Sequence, residues 1–204
     1  GLSDCTNSPY SMGTLVKDIE ALMDTLKLKN SLFIGLSIGG MIAQGLALKR
    51  LDLVRAMALS NTAARIGNRQ IWEDRINKVK SSGMKALTEE TMKRWFSNKF
   101  LESKELPKWK NMFERQPSEG YIACSHAISG TDFYTPTSNL RLPTIAIAGS
   151  EDGSTPPDLV RETCKLIPGS KFNLIKGAGH IPCVEAPKKY AKILSDFMKE
   201  LGHA

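Results

Sequence analysis

Gly35-Leu36-Ser37-Ile38-Gly39 follows the apolar run Leu32-Phe33-Ile34 and leads straight into Gly40-Met41-Ile42-Ala43-Gln44-Gly45-Leu46-Ala47. The order is strand, tight turn, helix. A serine on such a turn is presented sharply, and glycines at 35 and 39 are expected to relieve the crowding around it. Ser37 is therefore the candidate nucleophile. The N–H of Ile38, at the start of the following helix, is the candidate donor to an oxyanion, helped by the helix dipole. The pattern Gly-x-Ser-x-Gly is cheap by itself, arising by chance in roughly one chain in fifteen of this size. A serine in a merely well-packed glycine-rich turn is the alternative, so the rest of the sequence must decide. The glycine spacing fits neither Gly-x-Gly-x-x-Gly nor a phosphate loop ending in Gly-Lys-Ser/Thr.

The partners of such a serine are a histidine base and a carboxylate to hold it. Three histidines are present. His203 is the penultimate residue, and His126 lies in an apolar helical stripe, where a packed role is expected. His180 instead follows the predicted strand Lys171 to Ile175, in the loop Lys176-Gly177-Ala178-Gly179-His180-Ile181-Pro182. Asp152 follows the predicted strand Thr144 to Ala148, within Gly149-Ser150-Glu151-Asp152-Gly153. Both lie beyond the C-terminal end of a strand, where α/β proteins gather their chemistry. Glu151 and Asp132 are the rival carboxylates, and a turn or capping aspartate is the plain reading of Asp152.

The rest of the chain supplies an α/β frame. Ser11 is a plausible N-cap for a helix with apolar positions Leu15, Ile19, Leu22, Met23 and Leu26. Ser31 to Gly35, Ala56 to Ser60, Thr144 to Ala148 and Lys171 to Ile175 read as strands without strict alternation, the mark of a parallel sheet covered on both faces. Helices are expected from Ile38 to Leu48, from near Pro157, and at the end through Tyr190, Ile193, Leu194, Phe197, Met198 and Leu201. Between Arg65 and Arg141 only polar helical stretches with apolar stripes appear. The division is thus 1–64 core, 65–141 helical cap, and 142–204 core.

With 204 residues, 41% of them hydrophobic, the chain can bury one substantial core. Its net charge is +7, of which +5 falls within residues 65–141. The basic residues interleave with acids and form no block with stacking aromatics, which argues against nucleic acid. A basic middle segment suits a small anionic substrate. No apolar run reaches the ~18 residues of a membrane span. Four cysteines without Cys-x-x-Cys pairs fit a reducing, cytoplasmic setting. The oligomeric state stays open.

Gly35 to Leu46, Leu59 to Gly67, Ile147 to Val160 and Gly177 to Pro187 closely resemble 3-oxoadipate enol-lactonases, of the α/β-hydrolase fold. The order Ser37, Asp152, His180 is the order this fold uses. The stretch Ser60-Asn61-Thr62-Ala63-Ala64-Arg65-Ile66-Gly67 carries the subfamily likeness. The resemblance implies hydrolysis of a small anionic lactone to 3-oxoadipate in aromatic catabolism, through an acyl-enzyme and without metal or organic cofactor. The substrate carboxylate needs a cation, for which Arg94 beside Trp95 is the candidate. A related carboxylesterase or lactonase and a non-catalytic ligand receptor are the competing readings.

Family members begin with further strands and a His-Gly loop that gives a second oxyanion donor. The resemblance therefore implies that roughly 40 to 60 residues precede Gly1. On that expectation the chain keeps one donor, Ile38, exposes an apolar edge at Ser31 to Gly35, and is weakly active or inactive and aggregation-prone.

Overall fold

The structure is a computed structural model and describes residues 4–5 and 9–202. His203 and Gly1–Ser3 of the opening stretch lie outside the described residues. Four strands form one parallel sheet in the order β1 (Ser31–Leu36), β2 (Val54–Ser60), β3 (Thr144–Gly149) and β4 (Lys171–Ile175). Because the order in space is the order in sequence, the four C-terminal ends lie side by side. Leu36 pairs with Ser60, Ser60 with Ile147, and Gly149 with Ile175.

The two central strands explain the absence of alternation in the sequence. On β2, Met57 and Leu59 face one buried cluster while Ala56 and Ala58 face another. The first cluster takes in Met12, Val16 and Met23 of α1 (Met12–Thr25) and Met41 and Leu46 of α2 (Ile38–Lys49). On β3, Ile145 and Ile147 pack with Tyr190 and Phe197 of the last helix (Pro187–Glu200), and Ala146 and Ala148 with Val160 and Cys164 of the helix Pro157–Leu166. Both faces of these strands are thus dry, as parallel sheets require.

Residues between β2 and β3 contain no strand among the described residues. They form α3 (Arg69–Ser82), a 3₁₀ turn (Met84–Leu87), α4 (Thr88–Trp95), α5 (Asn98–Leu101), α6 (Leu106–Glu114), α7 (Ser118–Ser129) and α8 (Tyr134–Thr137). The insertion has its own buried cluster, including Ile76, Val79, Leu87, Met92, Phe96 and Phe113. Continuing in chain order, α9 is Pro157–Leu166, α10 is Pro182–Glu185 and α11 is Pro187–Glu200.

Ser11 caps α1, its side chain accepting from Thr14 N–H at 3.1 Å. The expected stripe on that helix is partly displaced: Leu22 and Leu26 are 53% and 57% exposed, and Met12, Val16 and Met23 take the buried positions. α1 touches the core along one narrow line, so apolar residues just off that line stay wet. β1 is an edge strand with no partner on its outer side among the described residues, and Ile34 is 45% exposed there.

Leu59→Ala is expected to cost about 2–5 kcal/mol in urea unfolding, since Leu59 is fully enclosed. Leu22→Ala should stay within about 0.5 kcal/mol. Equal losses would contradict this core assignment.

Candidate functional site

The turn after β1 forces Ser37 into a left-handed backbone, φ 55° and ψ −119°. Such a conformation costs a non-glycine residue about 1–3 kcal/mol and persists only where its surroundings hold it. Here the end of β2 holds it. Ser37 N–H donates to Ser60 O at 2.9 Å, and Thr62 Oγ1–H donates to Ser37 O at 2.6 Å. The strand and helix cross so closely that a Cβ on Gly35 would lie 2.3 Å from Gly39 O. A Cβ on Gly40 would lie 2.3 Å from the Thr62 side chain, whereas one on Gly39 would meet nothing within 4 Å. The crowding expected at positions 35 and 39 therefore sits at 35 and 40. Ile38 opens α2, and the helix itself makes no use of its N–H.

Asp152 and His180 meet as expected from their loops. His180 Nδ1 lies 2.8 Å from Asp152 Oδ2, with the side chains almost fully enclosed. Asp152 is held on every side. Ser154 N–H and Thr155 N–H donate to Oδ1 at 2.7 and 2.9 Å, and Thr155 Oγ1–H and Asn61 Nδ2–H donate to Oδ2 at 2.8 and 2.9 Å. Burial pushes this carboxyl up, but the bonds from His180, Asn61 and Thr155 outweigh it and hold it below its ordinary value. With Nδ1 committed to Asp152, Nε2 is the imidazole nitrogen left for chemistry.

Ser37, Ile38 and His180 line one cavity of about 310 Å³, roofed by residues of the helical insertion. Among the described residues Ser37 Oγ has no hydrogen-bond partner. Such contacts commonly tighten only around a bound substrate. Trp95 lies along the cavity with its ring stacked on His180, centroids 6.4 Å apart. Arg94 lines it too, but its charge is answered: Nη1 pairs with Glu90 at 3.2 Å and Nη2 donates to Thr91 at 3.1 Å.

Arg75, absent from the sequence reading, is the second guanidinium in this cavity. It lies over the Trp72 ring at 4.7 Å and has no ion pair among the described residues. Burial and the nearby Arg94 charge pull its pKa below the ordinary arginine value, yet it remains a cation. Its signal was in the sequence, because Trp72 and Arg75 are three apart on one helix and so share a face. Cys124 also lines the cavity; burial pushes its thiol up, away from thiolate character.

The rival residues lie elsewhere. Asp132 is exposed and pairs with Arg65 at 3.6 Å. Glu151 accepts from Asn98 N–H on the surface. His126 lines a larger open groove of about 770 Å³ that contains neither Ser37 nor His180.

A family model described as the alpha/beta hydrolase fold matches residues 1–187. The chain belongs to the alpha/beta hydrolase family. It is 29% identical over 204 residues to 3-oxoadipate enol-lactonase 2 of Acinetobacter baylyi, a match covering 99% of this chain and 76% of that protein. Among solved structures it resembles the enol-lactonase from Burkholderia xenovorans LB400, with 33% identity and a TM-score of 0.93, over 98% of this chain and 77% of that one. A thermophilic esterase from Thermogutta terrifontis, solved with malate bound, matches at 25% identity and TM-score 0.92, over 100% of this hydrolase and 77% of the esterase. No helix among the described residues is long and apolar enough to cross a membrane.

Two outcomes check this geometry. Gly35→Ala is expected to destabilise the hydrolase by about 1–3 kcal/mol and Gly39→Ala by clearly less, by thermal or urea unfolding; the reverse order would contradict the crossing just described. The second concerns Asp152, whose folded pKa is depressed, so that its ionised form stabilises the fold. That contribution is present above about pH 4 and is lost as the pH falls through the lower folded value. The unfolding free-energy gap to Asp152→Asn should be full near pH 7 and shrink below about pH 4. A gap constant down to about pH 3 would contradict it.

Proposed function

We propose that this alpha/beta hydrolase opens a small anionic lactone, 3-oxoadipate enol-lactone, to 3-oxoadipate, with Ser37 as nucleophile, His180 as base and Asp152 as its orienting carboxylate. The observation that carries the reading is one cavity containing Ser37, His180 and Arg75, an arginine with no ion pair among the described residues. A half-buried cation with no ion pair among the described residues is suited to a carboxylate brought by the ligand. At about 310 Å³ the cavity suits a small molecule. The enol-lactonase relatives agree with the substrate class, and the esterase solved with malate is a relative that accommodates a small dicarboxylate.

In this reading the substrate carboxylate sits against Arg75, with Arg94 and Trp95 forming the adjoining wall. His180 Nε2 takes the proton from Ser37 Oγ as that oxygen attacks the lactone carbonyl. The tetrahedral oxyanion receives the Ile38 N–H. As the ring C–O bond breaks, the departing enol oxygen takes the proton back from His180, and the enol relaxes to the ketone. Water then gives its proton to His180 and attacks the ester on Ser37, which leaves with that proton. The product carries a second carboxylate where the ester had been. The four free cysteines fit a reducing, cytoplasmic setting.

The test is a pair of substrates. Arg75→Ala is expected to raise KM for the enol-lactone about 10- to 100-fold, the loss of one charge-assisted bond, while leaving hydrolysis of a neutral aryl ester within about twofold. Ser37→Ala should abolish both. Aryl-ester turnover with none on the lactone would favour a carboxylesterase, and ligand binding without turnover of either would favour a receptor. Equal losses on both substrates in Arg75→Ala would overturn the carboxylate assignment.

A further inference from the structure

The helical insertion and the two catalytic loops meet along residues 94–98, and the contacts are nearly all to backbone. Gly153 N–H donates to Arg94 O at 3.0 Å, and His180 N–H donates to Trp95 O at 2.7 Å. These two bonds tie the cavity wall to the acid and histidine loops. Two side chains make the remaining contacts, and one is Glu151, whose Oε2 accepts from Asn98 N–H at 3.2 Å. The other, Glu185, on α10 just past the histidine loop, sets its carboxylate between the loop and the insertion. Oε1 accepts from Gly179 N–H at 2.6 Å, while Oε2 accepts from Ser97 N–H at 3.0 Å and from Ser97 Oγ–H at 2.5 Å.

Gly179 immediately precedes His180, and it is pinned from both ends. Its N–H goes to Glu185, and its carbonyl accepts from Asn61 Nδ2–H at 3.2 Å, the same amide that donates to Asp152. The approach leaves no room for a side chain, since a Cβ on Gly179 would lie 2.4 Å from Trp95 O and 3.0 Å from Glu185 Oε1. A loop residue without a side chain has no packing of its own to fix its peptide plane. The peptides on either side of it are set by what they meet: Glu185 and Glu151 N–H hold the Ala178–Gly179 peptide, and Trp95 O and Asn61 hold the Gly179–His180 peptide.

We propose that Glu185 is a positioning residue for the hydrolase reaction: by fixing the Ala178–Gly179 peptide, which leads into the peptide of His180, it sets where the His180 ring stands relative to Ser37. This rests on the roles given to Ser37 and His180 above. Arg94 and Trp95, which line the cavity, have their own backbone ties, whereas among the described residues Glu185 alone answers Gly179 N–H. The effect therefore falls on proton transfer and not on substrate fit. A carboxylate suits the place because both oxygens accept. A glutamine there turns an NH₂ toward one of the N–H donors, and an aspartate is one methylene too short to reach both.

Glu185→Gln and Glu185→Asp are compared with the unaltered chain in two assays. One is enol-lactone turnover, and the other is the second-order rate at which a fluorophosphonate labels Ser37, which needs the histidine but no lactone. Native-like circular dichroism at the assay temperature is the entry condition for either variant. The expected result is a fall of about 10- to 100-fold in kcat and in labelling rate together, with KM within about threefold, the scale of misplacing a base by ~1 Å. Rates within twofold of the unaltered chain, or a change confined to KM, would overturn the proposal. Failure of both variants to fold would also overturn it, by assigning Glu185 to stability alone. Labelling of the unaltered chain together with turnover of a neutral aryl ester but none of the lactone would sink the lactonase reading, while the labelling rates would still decide the role of Glu185.

Discussion

The left-handed backbone at Ser37 is the constraint from which the rest follows. It exists because β1 and α2 cross with no space at Gly35, because Gly40 packs directly on Thr62, and because Ser60 and Thr62 hold the turn from the end of the next strand. A parallel sheet in sequential order makes that support available, as each strand ends beside its neighbour. The turn after β1 carries Ser37, the residues after β2 carry Asn61 and Thr62, the loop after β3 carries Asp152, and the loop after β4 carries His180. Four local folding decisions thus converge on one place without any long excursion of the chain.

Electrostatics then separates this site from the surface. Asp152 is enclosed, and a bare carboxylate there would be prohibitive, yet donors from three loops surround it. Its ionisation is thereby secured where the imidazole needs it. The network of Arg50 with Glu20, Asp24 and Asp52 looks richer in ion pairs, but it stands largely in solvent, where such pairs contribute little. Burial, and not the number of contacts, decides which network matters. The same comparison separates the two cavity arginines, because Arg94 already pairs with Glu90, whereas Arg75 lies over the Trp72 ring and has no ion pair among the described residues.

Much of this was legible in the sequence because it is local. The four strands, the turn at Ser37 and the loops bearing Asp152 and His180 are each announced within about ten residues by apolar runs and glycines. What was hidden depends on contacts between distant segments. Asn61 reads as an ordinary polar residue after a strand until Asp152, 91 residues on, arrives beside it. Glu185 is likewise plain until Ser97 docks against it from 88 residues away. The crowding assigned to Gly39 belongs to Gly40 because Thr62, just past the end of β2, fills that space. Leu22 and Leu26 follow helical spacing faithfully yet remain wet, since spacing gives a face but not the width of its contact.

The central claim is that Ser37, mounted on this strained turn, takes the acyl group while His180 moves the proton. Acid-quenched mass spectrometry during turnover of a slow ester tests it directly. The account predicts a transient acyl mass on the peptide containing Ser37, absent in His180→Ala. Turnover with no adduct on that peptide under conditions where deacylation is slow, or an adduct on another residue, would contradict it.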